Sequence, residues 1–95
     1  MHKILFVLIF TALSGGAYSG CTAPEPPHIP DAETTVTAEM VKAQNDVKAF
    51  LSEAENFLKC NRNSSKHNKM VDEMKDVGEK FNNVVKAYKA RLKNG

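Results

Sequence analysis

Two stretches of this chain place apolar residues in alternating steps of three and four, and a polar break separates them. The first is Met40, Ala43, Val47, Phe50, Ala54 and Phe57, widened by Leu51 and Leu58. The second is Met70, Met74, Val77, Phe81, Val84 and Tyr88, flanked by Val71, Val85 and Leu92. Steps of three and four collect side chains on one face of a 3.6-residue helix, whereas a strand would alternate every second residue. The break, "NRNSS", consists of residues whose side chains compete for backbone hydrogen bonds and favour turns. The spacing therefore predicts helix over 37–60, a loop over 61–65 and helix over 66–92. Such helices would each be on the order of 40 Å long. Joined by a short polar loop, they fold back as an antiparallel two-helix hairpin over 37–93, an all-α, coiled-coil-like arrangement. Its expected core is Met40, Val47, Phe50, Phe57, Met74, Val77, Phe81, Val84 and Tyr88.

Local signals agree with these bounds. Thr37 has the chemistry of an N-cap, Glu39 complements the helix dipole in the first turn, and Val36 with Val41 has hydrophobic-staple spacing. Ser64 or Ser65 can cap the second helix. Gly78, inside that helix, costs about 1 kcal/mol relative to Ala. It marks either a close approach to another backbone or a position without structural demand.

The residues before the hairpin are of two kinds. All four prolines lie between Pro24 and Pro30. Proline fixes its own φ and biases its predecessor toward extended conformations, so 20–36 reads as a stiff, extended, Pro-rich segment. Ahead of it, "MHKILFVLIFTALSGGAYSG" has a short positive start, an apolar run from Ile4 to Leu13 and a small-residue stretch, the layout of a secretory signal peptide over 1–19. That run is too short to cross a bilayer core, which needs about 20 apolar residues. Export leaves roughly 75 residues, one small domain that ordinarily needs a disulfide, a metal or a partner to hold together.

Export also frames the two cysteines, Cys21 and Cys60. One assignment pairs them: an oxidising compartment favours a disulfide, and the Pro-rich segment can span about 46 Å at roughly 3.1 Å per residue. That is enough to run back along the first helix and reach its far end. The other makes Cys21 a lipid attachment point. Ser19 and Gly20 before it suit a bacterial lipobox, although Tyr18 stands where Leu is usual. The pairing is the preferred assignment, because lipidation leaves Cys60 over.

"CTAPEPPHIPD", "EMVKAQNDVKAFLSEAENFLKC", "HNKMVDEM" and "FNNVVKAYKAR" together resemble a group of small exported proteins of Gram-negative bacteria with a Cys, Pro-rich, helix, Cys, helix layout. The resemblance covers most of the chain after the signal. It implies export to the periplasm or cell envelope, helices and the cysteine pair, and it implies no substrate.

Chemistry-bearing patterns are sparse. His67, Met70 and Met74 share a helical face and include soft ligands of the kind that bind copper, but methionines at this spacing are also core residues. Asp72, Glu73, Asp76 and Glu79 are interleaved with Lys75 and Lys80, the pattern of a solvated face more than of an acid–base pair. No catalytic order of Ser, His and Asp, no phosphate loop and no CxxC is present. The sequence thus implies no enzyme and no cofactor. Net charge is +2, with acids concentrated before Glu55 and bases after Lys59. Export argues against nucleic acid as the partner of the basic half. Lys86, Lys89, Arg91 and Lys93 can contact an anionic surface weakly, or serve only the helix dipole and solubility. The acidic approach to helix 1 is expected to lie beside this basic end. The apolar stripes are wider than a two-residue seam, so a bare hairpin leaves apolar surface for self-association or for another envelope protein. The expected function is that of a non-enzymatic envelope protein acting as a helical interaction or structural module. The alternatives are a lipid-anchored lipoprotein through Cys21 and a small periplasmic metal-binding protein.

Overall fold

A computed structural model describes residues 21–94. It contains two α-helices, α1 (Thr37–Cys60, 24 residues) and α2 (Ser64–Asn94, 31 residues), packed against each other as an all-α hairpin. The signal peptide read over 1–19 lies outside the described residues. No strand occurs among those described, and no helix among them is long and apolar enough to cross a membrane.

The alternating steps dictate the seam. Met40, Ala43, Val47, Phe50, Ala54 and Phe57 are the buried residues of α1, and Met70, Val77 and Tyr88 those of α2. All of them except Ala43 fall into two clusters along the hairpin. Phe50, Ala54, Phe57, Met70 and Val77 fill the middle and loop end; Met40, Tyr88 and Ala32 close the open end. Three residues expected in the core, Met74, Phe81 and Val84, are only half-buried and pack against these clusters from the side. A pair of helices has a single facing seam, and residues at its margin keep one side in solvent.

The loop is shorter than the sequence suggests, because Asn63 rather than Ser64 or Ser65 caps α2. Asn63 Oδ1 accepts the Lys66 backbone N–H at 2.9 Å, and Asn61 Oδ1 accepts that of Asn63 at 2.9 Å. Each amide satisfies an orphan N–H of the turn, so α2 starts at Ser64 instead of 66. It also continues to Asn94, beyond the expected 92, and exceeds α1 in length.

The start of α1 differs in a similar way. Val36 occupies the cap position with no side-chain cap bond, and Thr37 is already helical. The Thr37 hydroxyl instead hydrogen-bonds the Tyr88 hydroxyl across the hairpin. Thr35, 2% exposed, donates its hydroxyl to Glu39 Oε1 at 2.8 Å. The Val36–Val41 staple does not close; both side chains are more than half exposed.

Residues 21–36 form a strap. A disulfide joins Cys21 to Cys60 with a Cα–Cα distance of 5.6 Å, so the Pro-rich segment starts at the end of α1 and returns to its beginning. Ile29 packs on the main cluster along the way. Asp31 then turns the chain: its carboxylate accepts the Glu33 N–H at 2.8 Å, and its carbonyl accepts the Thr35 N–H at 2.9 Å. Arg91 fastens this turn to α2, donating to the carbonyls of Ala32 at 2.9 Å and Thr35 at 2.6 Å. The approach to α1 and the basic end of α2 do lie together, yet through a guanidinium and carbonyls. The ion pairs Lys42–Asp46, Lys69–Glu73 and Lys80–Asp76 each run along a single helix.

Candidate functional site

The strap covers one side of the helix pair and leaves the other open. On α1 it passes the flank that carries Glu39, Lys42 and Asp46, where His28 and Pro30 form the opposite wall of a shallow groove. Near its start, Cys21 and Ala23 border Lys66, Lys69, Met70 and Glu73 of α2, so the same side of both helices is occupied. One heptad column of α1 on the far side reads Thr37, Gln44, Leu51, Leu58, and the matching column of α2 reads Val71, Gly78, Val85, Leu92. Helical geometry places these columns next to the seam, at an angle of about 150° from the strap-facing columns.

The open side forms a shallow, mainly apolar groove. At its wide end it is lined by Met40, Val41, Phe81, Val85, Tyr88 and Leu92. Val41 and Leu92 are 51% and 57% exposed, and Leu51, Leu58, Val71, Met74, Phe81 and Val85 are half-buried. Val36, 56% exposed, lies off this side, in the strap ahead of α1. Scattered exposed aliphatics are ordinary; a continuous strip of them along a folded hairpin is the pattern of a contact surface.

Gly78 sits in this strip. A methyl group added there meets nothing within 4 Å. Among the described residues no backbone outside its own helix turns approaches it, so the close approach that a helical glycine can signal is not made within the hairpin. It leaves a dent of methyl size or more in the column of Val71, Val85 and Leu92. Sequence reading singled out Gly78 but could not place it on a face; the seven-residue column through Val71, Val85 and Leu92 was the available signal.

The other candidates are dispersed or already occupied. Cys21 and Cys60 are joined, so the Cys21 sulfur is not available for an acyl thioether in this structure. Met70 is 3% exposed and belongs to the main cluster, Met74 packs on that cluster, and His67 is a half-buried residue of the first α2 turn. The two sulfurs are thus packing atoms. No group of three or more His, Cys, Asp or Glu side chains is placed to hold a metal among the described residues. Asp76 pairs with Lys80 at 3.1 Å and Glu73 with Lys69 at 4.0 Å, while Asp72 and Glu79 are exposed. These are i,i+4 contacts of a solvated face, worth a few tenths of a kcal/mol each.

Of the basic residues at the α2 end, Arg91 is engaged by the strap, while Lys86, Lys89 and Lys93 stand exposed at helical spacing. Arg91 also lies 5.1 Å from the Tyr88 ring centroid, whereas Lys89 borders the open groove. A cleft of about 340 Å³ between Cys21, Phe57, Asn61 and Met70 is where the strap enters; Lys66 and Lys69 stand at its edge. No protein-family model, curated protein or solved structure matches the chain.

Proposed function

We propose that this is a non-enzymatic, exported protein of the bacterial cell envelope that works by protein contact through the open side of its hairpin. The observation that carries this reading is the one-sided coverage: the strap shields one flank while the strip from Val41 and Leu92 to Leu58 and Val71 stays wet. Burying such a strip yields roughly 25 cal/mol per Å² of apolar surface, a direct thermodynamic incentive for a partner. The disulfide is compatible with an oxidising, exported environment, in keeping with the signal-like start of the chain. A rigid hairpin, clipped by Cys21–Cys60 at one end and by Arg91 at the other, suits a module whose task is to hold a surface in shape.

Site-directed photo-crosslinking in a Gram-negative host tests this. A crosslinker replacing Val85, on the open side, should give discrete adducts, whereas one replacing exposed Ser52, on the outer face of α1, should give none. Equal labelling from both positions, or none from Val85, counts against the proposal.

A further inference from the structure

The open side is built to receive itself. We infer that its occupant is a second copy of this chain, related by a two-fold axis parallel to the helices, giving a disulfide-clipped four-helix bundle. This rests on the contact-surface reading above and names the partner. Thr37 bonds Tyr88, and Met40 and Tyr88 share a cluster, which fixes the antiparallel alignment of α1 on α2. Carried along both helices at equal rise, that alignment sets Leu51 within a turn of the level of Gly78, with Leu58 toward Val71 and Gln44 toward Val85.

A two-fold axis along the helices lays α1 of one copy over α2 of the other at unchanged level. Leu51 then faces Gly78 of the second copy, and the reverse contact is made by the same operation. An isologous interface requires this self-complementarity, residue i meeting j while j meets i. The shape supports it: Leu51 packs on the main cluster and keeps one side wet, and Gly78 is a dent with nothing above it for 4 Å among the described residues. The charges at the rim agree. Glu55 and Lys75 occupy the next columns outward, both exposed, and the same rotation sets Glu55 opposite Lys75 of the second copy. Exposed Lys48 meets Asn82, so no like charges are brought face to face. In this arrangement every helix has antiparallel neighbours, the ordinary packing of a four-helix bundle.

Equilibrium sedimentation of the purified protein with its disulfide intact tests this, using parent, Gly78→Leu and Glu55→Lys, Lys75→Glu variants. Because the space at Gly78 is empty within one chain, Gly78→Leu should keep parental helicity by circular dichroism while the mass falls from two chains to one. Glu55→Lys and Lys75→Glu should each weaken the dimer, and their combination should restore it. A parent that sediments as one chain at millimolar concentration, or a Gly78→Leu protein that stays dimeric, overturns the proposal. Binding of a solvatochromic apolar dye tells which reading has failed. A monomeric parent that binds the dye, and loses it on Val85→Asp, refutes the dimer alone. A monomeric parent that ignores the dye refutes the contact surface as well.

Discussion

The guanidinium of Arg91 donates to the backbone carbonyl of Thr35 at 2.6 Å, joining the last turns of α2 to the residue that precedes the α1 cap. Its other nitrogen reaches the Ala32 carbonyl, and its plane lies near the ring of Tyr88, whose hydroxyl meets Thr37. One side chain thereby supplies donors to two carbonyls of the turn that precedes α1. Hydrogen bonds from a charged donor contribute about 1.5–3 kcal/mol each, and less where water reaches them. Arg91→Ala should therefore destabilise the protein by about 2 kcal/mol in urea unfolding. Arg91→Lys should recover less than half of that, since an ammonium cannot fork to both carbonyls. If the lysine variant melts like the parent, the forked geometry is unimportant.

Phe57 and Phe81 offer a sharper test of the packing, because both lie on apolar stripes while their burial differs. Phe57 is 4% exposed in the main cluster; Phe81 is half-buried at the edge of the open groove. Phe57→Ala removes a buried ring and leaves a cavity, a loss of about 3–5 kcal/mol that unfolds a domain this small. Phe81→Ala should cost about half as much and leave a folded protein. Equal melting temperatures for the two variants would contradict the placement of the seam.

The helices were legible because steps of three and four leave no other regular structure for Met40 to Phe57 or Met70 to Tyr88. The Cys21–Cys60 pair was legible as one of two assignments, since the strap has the reach to close it. What escaped depended on contacts far apart in sequence. Thr37 looks like a cap until Tyr88 arrives from the other helix to take its hydroxyl. Asn63 and Ser64 are both competent caps, and local chemistry alone does not rank neighbours one residue apart. Charge patterning brought the acidic and basic ends together but could not foresee that Arg91 would choose carbonyls over carboxylates. The open side was visible only in part: Leu51, Leu58, Val71, Val85 and Leu92 all widen the stripes on one flank, but nothing in the helices themselves says that this flank is the one left bare. Only the path of the strap, set by Cys60 at one end and the Asp31 turn at the other, decides which flank stays uncovered.

The clip itself should dominate stability. The bond joins residues 39 positions apart, and closing a loop of that length lowers unfolded-chain entropy by roughly 4 kcal/mol equivalent in the chain-entropy model. Cys21→Ser and Cys60→Ser should destabilise the protein to the same extent, and the double variant should cost little more than either alone, because all three remove one constraint. Thermal unfolding with and without a thiol reductant checks this on the unmodified chain. Clearly unequal single variants would mean that one cysteine contributes something besides the bond.

Gly78 gives the prediction with the opposite sign. A glycine inside α2 gives up about 1 kcal/mol of helix propensity relative to alanine, through extra freedom in the unfolded chain and bare backbone in the folded one. Nothing within 4 Å obstructs a methyl group there, and the φ is ordinary for a helix. Gly78→Ala should therefore stabilise the single hairpin by about 1 kcal/mol, a rise of roughly 4–8 °C in melting temperature for a domain of this size. The measurement belongs at high dilution, where only the hairpin is being unfolded. At high concentration the added methyl also meets Leu51 of the second copy in the two-fold arrangement, so the gain should shrink as protein is added. A gain that is independent of concentration would leave the helix-propensity argument intact and remove Gly78 from the interface.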